Sequence, residues 1–288
     1  MIGRSNTQSK VGQRRSSANG HATQTIRSLS RLRPRILLAR KSRPRLQFRW
    51  ATAISIDEWK IYQEAIEAVR KSKVPFLLGG GFALAAFTGR WRDTKDIDFY
   101  INPRDRDRTV AALTRAGFDD YYDQRPYDRK WIYRSVKAGV IVDIIWSMAN
   151  QRAQVDDAWL KRAETVSIRG QKLGVVPMEE FMWCKLYIVQ RDHCDWTDIL
   201  NLIYARGQFL DWDHLINRLG EDRALLEAIL LVYAWIAPRQ AKKLPRSLWR
   251  FLNLREPAEA EPDRDRIRLL DSRAWFAALQ PKSKKLEV

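Results

Sequence analysis

The stretch "LLGGGFALAAFTGRWRDTKDIDFYI", Leu77 to Ile101, decides the fold. It opens on a short apolar run, passes through three glycines into a segment of good helix formers, and ends in "KDIDFYI", which alternates like a strand. Residues two apart on a strand project to the same face, about 7 Å apart along the chain. Asp96 and Asp98 therefore share one face, and Ile97 and Phe99 pack on the other. Downstream, Asp143 is the one charge in the strand-like "VIVDIIW". Neighbouring strands lie about 5 Å apart, so the three carboxylates can converge.

Three carboxylates brought together lose hydration and repel, and they need a compensating cation. Mg²⁺ fits, with oxygen ligands at about 2.0–2.1 Å that it often shares with substrate phosphates; Mn²⁺ is the alternative. A pair of such ions about 3.5–4 Å apart stabilises both oxygens of an in-line phosphoryl displacement. The glycines Gly79–Gly81 fall between a strand and a helix N-terminus, where bare N–H groups can hold phosphates. The stretch matches neither the dinucleotide fingerprint nor GxxxxGK[ST]. A strand, a glycine turn, a helix, Asp-x-Asp on a strand and a later lone Asp are specific only as a set.

Outward from this stretch, "SIDEWKIYQEAIEAVRKS" reads as a helix capped by Ser55 or Asp57. "PRDRDRTVAALTRAG" reads as another, opened by Pro103 and closed by Gly117. "KWIYRSV" and "GVIVDIIWS" are two strands joined by a tight turn at Lys137–Gly139, and "TVSIRGQKLGVV" is a further hairpin around Gly170. From Pro177 the pattern is helical only: "PMEEFMWCKLYIVQR", "DWTDILNLIYARG", "DWDHLINRLG", "EDRALLEAILLVYAWIA" and, past a Pro-containing loop, a segment around 264–279. The expected class is α+β. Its parts are a basic disordered tail (1–53), a domain with a short mixed sheet flanked by helices (54–176), a helical domain (177–280) and a short tail (281–288).

The net charge of +18 belongs to the N-terminal tail. Residues 1–50 carry 13 Lys and Arg and no Asp or Glu, which leaves 39 basic against 34 acidic residues and a net +5 elsewhere. That tail reads as a nucleic-acid-touching arm, a targeting peptide or an upstream extension without a role. No apolar run reaches the roughly 18–20 residues that span a bilayer, so no membrane partner is expected. Cys184 and Cys194 imply no disulfide framework, which suits a cytoplasmic, reducing compartment. "HCD" at His193–Asp195 reads as a helix start, since no second cluster stands at zinc-finger spacing. The Trp residues read as core, because they do not interleave with a basic run.

"GGGFALAAFTGRWRDTKDIDFYI" resembles the signature of the DNA-polymerase-β-like nucleotidyltransferase superfamily. In its local form it resembles small bacterial nucleotidyltransferases, the AbiEii-type toxins and antibiotic nucleotidyltransferases among them. The resemblance covers about residues 54–200 and implies a magnesium-dependent transferase that moves NMP from an NTP such as ATP. It gives Gly80 and Gly81 to the triphosphate and Asp96 and Asp98 to the metals. It gives Asp143 to a metal and to proton acceptance from the acceptor. On the helix expected over Pro177–Arg191, Glu179, Glu180, Gln190 and Arg191 form a polar face, and Lys185 falls inside the opposite, apolar stripe. A buried Lys needs an anion. The resemblance supplies the triphosphate as that anion; a salt bridge to Asp198 or another carboxylate is the alternative. The acceptor is open between a tRNA end, a protein side chain and a small molecule. Alternative functions are an inactive nucleotide-binding module of the same fold and a nucleic-acid binder acting through the basic arm.

Overall fold

The computed structural model describes residues 42–257 and 266–270. The first helix, α1 (Ile56–Lys71), starts where Ser55 accepts the Glu58 N–H at 3.1 Å. Strand β1 (Phe76–Leu78) runs into α2 (Gly80–Thr88), which Gly89 ends in the left-handed region at φ 68°. Strand β2 (Asp96–Ile101) buries Ile97, Phe99 and Ile101 completely and leaves Asp96 and Asp98 half-buried on its other face. Helix α3 (Arg106–Arg115) and the two-residue β3 (Asp119–Asp120) follow. The β4 (Ile132–Lys137) and β5 (Val140–Ile145) hairpin turns on Ala138 and Gly139, both at positive φ. After α4 (Asp157–Arg162), β6 (Glu164–Ile168) and β7 (Gln171–Val175) turn on Arg169 and Gly170, again both at positive φ. Two positive-φ residues are what a two-residue hairpin turn of this hand requires.

The described strands form one mixed sheet in the order β3-β4-β5-β2-β1-β7-β6. β2 runs parallel to β5 and antiparallel to β1, and β4 is antiparallel to β5. Beyond Pro177 come helices α5 (Met178–Leu186), α6 (Trp196–Arg206), α7 (Trp212–Leu219) and α8 (Ala224–Ile236). Short helices α9 (Pro238–Ala241), α10 (Arg246–Phe251) and α11 (Arg266–Leu270) complete the described chain. The hydrophobic core does not stop at Pro177: Leu78 and Phe99 of the sheet belong to the same buried cluster as Met182, Trp212 and Leu230. No described helix is long and apolar enough to cross a membrane.

Several expectations need correction. Of the tail expected over 1–53, only 42–53 are described, and these pack. Leu46 is buried, Phe48 stacks on Phe82 with ring centroids 5.6 Å apart, and Arg43 forms ion pairs with Glu164 and Glu179. Two aromatic and aliphatic side chains in a basic setting are enough to anchor an irregular segment that shows no periodicity. The helix expected over Pro177–Arg191 stops at Leu186; the chain then folds back through a bridge between Val189 and Cys194. The polar face expected of Glu179, Glu180, Gln190 and Arg191 is not one face: the two glutamates lie in the interior, and Gln190 and Arg191 lie beyond the helix end. Both glutamates are fully buried: Glu179 is held by Arg43, Arg162 and the Asp211 N–H, and Glu180 by His214 and Arg218. Strand β3 and helices α4, α9 and α10 lay in what read as loops. Of the segment expected around 264–279, only Arg266–Leu270 is described.

Candidate active site

Parallel pairing of β2 with β5 sets Asp98 directly opposite Asp143, and Asp96 opposite Ile141. The sheet thus gathers the three carboxylates that the sequence singles out. Thr94 orients Asp96, donating its hydroxyl to Oδ1 at 2.6 Å. Asp98 lies against the first turn of α2, so close that a Cβ on Gly80 would sit 1.6 Å from its Oδ2. Gly80 also holds φ at +47°, a region side chains avoid. The glycine is therefore needed by Asp98 itself, quite apart from any phosphate. Gly81 backs onto Thr94, and Gly79 donates its N–H to the Asp98 carbonyl at 3.0 Å. Among the described residues no backbone acceptor takes the N–H of Gly80 or Gly81, the first two residues of the helix.

No pattern in the sequence pointed to Arg134. It sits on β4 opposite Asp143 and grips that carboxylate with both arms, Nε to Oδ1 at 2.8 Å and Nη2 to Oδ2 at 2.5 Å. Its Nη2 also lies 3.8 Å from Asp96 Oδ2. Asp143 is only 2% exposed, so this bidentate pair is what makes its charge tolerable. The cation that the acidic cluster demands is thus partly supplied by the protein. Strand pairing revealed it; "WIYRSV" offered only an Arg at an alternating position.

Burial acts on two of these carboxylates. Burial pushes the Asp98 carboxyl well above the usual range, reinforced by Asp96 and Asp143 and opposed by Lys185 and Arg134. Burial raises Asp143 too, against the pull of Arg134. The same pairing raises Arg134 further above its already high value.

Lys185 takes the second of the two partners the sequence left open. Its Nζ lies 2.6 Å from Asp195 Oδ2 and 2.8 Å from Asp198 Oδ2, with the residue 7% exposed. Arg92 reaches Asp198 at 3.3 Å, and His193 Nε2 stands 3.0 Å from Asp195 Oδ1. This ionic cluster neighbours the site, since Lys185 is among the charges that act on Asp98. Cys184 is buried and Cys194 exposed, and both are free.

The donor set suits a hard divalent cation: Asp96 and Asp98 offer carboxylate oxygens on one face, and the Asp98 charge is costly without a cation beside it. Among the described residues no three His, Cys, Asp or Glu side chains are already drawn together as a metal nest.

A family model described as "Uncharacterised nucleotidyltransferase" matches residues 45–237. No curated protein matches the chain. Among solved structures, ANT(2")-Ia in complex with adenylyl-2"-tobramycin is 17% identical, with 62% of this chain and 99% of that chain covered and a TM-score of 0.37. The lincosamide antibiotic adenylyltransferase LnuA, lincomycin-bound, is 15% identical, with 52% and 94% covered and a TM-score of 0.36. JHP933 from Helicobacter pylori is 15% identical, with 69% and 94% covered and a TM-score of 0.35.

Proposed function

Since the chain belongs to this family of uncharacterised nucleotidyltransferases, we propose that it moves a nucleoside monophosphate from an NTP to an acceptor hydroxyl or phosphate, with Asp96 and Asp98 holding a divalent cation. The observation that carries this reading is the register of β2 and β5, which sets Asp98 against Asp143 with Asp96 on the same face. When bound, magnesium or manganese supplies charge neutralisation for the phosphoryl oxygens.

The remaining work falls to this chain's own groups. Asp96, steadied by Thr94 and 3.8 Å from Arg134 Nη2, and Asp98, seated on Gly80, are the carboxylates that Arg134 does not grip with both arms. The first-turn N–H groups of Gly80 and Gly81 are donors for the triphosphate. An acceptor oxygen attacks the α-phosphorus, the bond to the β-phosphate's bridging oxygen breaks, and pyrophosphate leaves. The acceptor's proton passes to a carboxylate oxygen of Asp143, which the parallel register sets beside Asp98. Arg134 holds that carboxylate in place by one bond to each oxygen, which leaves a second lone pair on each. Lys185 acts on the site through its charge and holds Asp195 and Asp198.

Turnover with each labelled NTP in Mg²⁺, read against Asp98→Asn, tests the proposal. Label should enter an acceptor or pyrophosphate with the native chain and fail to do so with the variant. Metal-dependent NTP binding without any turnover would instead favour an inactive nucleotide-binding module, a reading that the clamp of Arg134 on Asp143 makes worth separating. NTP binding that ignores chelator would refute the metal-dependent reading.

A further inference from the structure

Beside the carboxylates opens a cleft of about 690 Å³, lined among others by Tyr121, Arg125, Tyr127, Arg134, Gln190 and His193. That volume suits a ligand of nucleotide or drug size. The cleft adjoins the site at two points: Arg134, which clamps Asp143, and His193, which faces Asp195. Sheet order fixes its side. Arg134 is on β4 and the glycine turn follows β1, with the carboxylates of β5 and β2 between them. Three strand spacings, roughly 14 Å, separate the two ends. If the triphosphate takes the glycine end, the cleft is left to the second substrate.

Its chemistry is one-sided. No Asp or Glu side chain lines it. Behind it, Asp120 accepts from the Tyr127 hydroxyl at 2.9 Å and from Arg129 Nη2 at 2.6 Å, while Asp143 is held by Arg134. Tyr127 is clamped further, since its oxygen also accepts the Arg134 backbone N–H at 3.0 Å. Its ring is therefore fixed before any ligand arrives. The Arg134 guanidinium lies 5.8 Å from the centre of the Tyr121 ring. Arg125 has no ion pair among the described residues and borders the same space. The fixed Tyr127 ring offers a face for stacking and Arg125 offers forked donors to phosphate or carboxylate, whereas the fork of Arg134 is taken by Asp143. A polycation would meet Arg125 and find no carboxylate in the lining.

Resting on the nucleotidyl-transfer reading above, we infer that this cleft binds the acceptor, and that the acceptor joins a negative charge to a flat ring, the chemistry of a nucleotide unit.

Calorimetry on the full chain in chelator tests this, because the cation-dependent NTP site is then silent. AMP stands for a free nucleotide, the dinucleotide ApA for a strand end, adenosine for the uncharged ring and tobramycin for a polycation. AMP or ApA should bind at least roughly tenfold more tightly than adenosine, as expected when a charge-assisted bond is added. Whichever of the two binds better names the source. Arg125→Gln and Tyr121→Leu should each weaken that binding roughly tenfold. Tyr121 opens the short 3-10 helix Tyr121–Asp123 and Arg125 follows it, and an unchanged melting temperature would confirm that the fold is intact. In Mg²⁺, Arg125→Gln should leave NTP affinity as it was. Equal affinity for AMP and adenosine, tighter binding of tobramycin, or two variants that bind like the native chain would overturn the inference. An equal loss of NTP affinity in Arg125→Gln would also overturn it, by giving the cleft to the nucleotide donor. Loss of metal-dependent NTP binding altogether would strike the nucleotidyl-transfer reading instead, independently of the AMP results.

Discussion

At the scale of the residue, the three carboxylates are not equivalent, and their Asn variants should separate. Asp98 faces Asp96, Asp143, Lys185 and Arg134, and its carboxyl is raised well above the usual range, burial being the largest cause. Below about pH 4 an unfolded Asp is protonated as well, so Asp98 costs the fold nothing there. As pH rises towards its raised native value, the unfolded chain gives up a proton that the native state keeps. Stability therefore falls across that window and levels off above it. In chelator, Asp98→Asn should flatten this decline and melt above the native chain at pH 8, while turnover is lost. Superimposable melting curves from pH 4 to 8 would show that Asp98 is not strained. Asp143→Asn should do the reverse. It removes the charge that Arg134 grips with two hydrogen bonds, and about 2 kcal/mol of stability should go with it. Urea unfolding of the two variants side by side reads the sign directly.

At the scale of the element, the turn from β1 into α2 serves Asp98 as much as any ligand. Gly80→Ala puts a methyl group where Asp98 Oδ2 now lies and forces a strained φ. We expect about 1–3 kcal/mol of lost stability and a drop in turnover larger than the unfolded fraction explains. Activity proportional to folded protein would show that the turn does not position the carboxylate. Between α5 and α6, Lys185 ties two buried Asp side chains together. Lys185→Met leaves Asp195 and Asp198 short of their shared cation and should cost about 3–5 kcal/mol by chemical denaturation. A near-native midpoint would mean that Lys185 is held for the substrate rather than for the fold.

At the scale of the whole molecule, residues 42–53 strap the sheet to the helices that follow it. Arg43 ties Glu164 of β6 to Glu179 of α5, Trp50 donates to the Gly89 carbonyl at 3.0 Å, and Arg169 takes the Ala51 and Ile54 carbonyls. A chain begun at Ile54 should therefore melt well below one begun at Ser42. Each kcal/mol lost lowers the midpoint by roughly 2–4 °C in a protein of this size. Equal melting temperatures would show the strap to be ornamental.

The sequence by itself determined the local elements around the site. Ser55 announced a helix start, glycines announced turns, and period-two alternation in "KDIDFYI" put Asp96 and Asp98 on one face, because each of these is a property of neighbouring residues. It also singled out Asp143, a lone charge in an apolar strand. Pairing was beyond it. Asp98 meets Asp143 across a parallel register 45 residues apart in sequence, Arg134 reaches the site only because β4 lies beside β5, and Glu179 and Glu180 are buried by arginines from distant segments. A helical wheel assigns polar residues to solvent because it cannot see a partner on another element. Which cation answers a carboxylate is a question of proximity in space, and that only the tertiary structure decided.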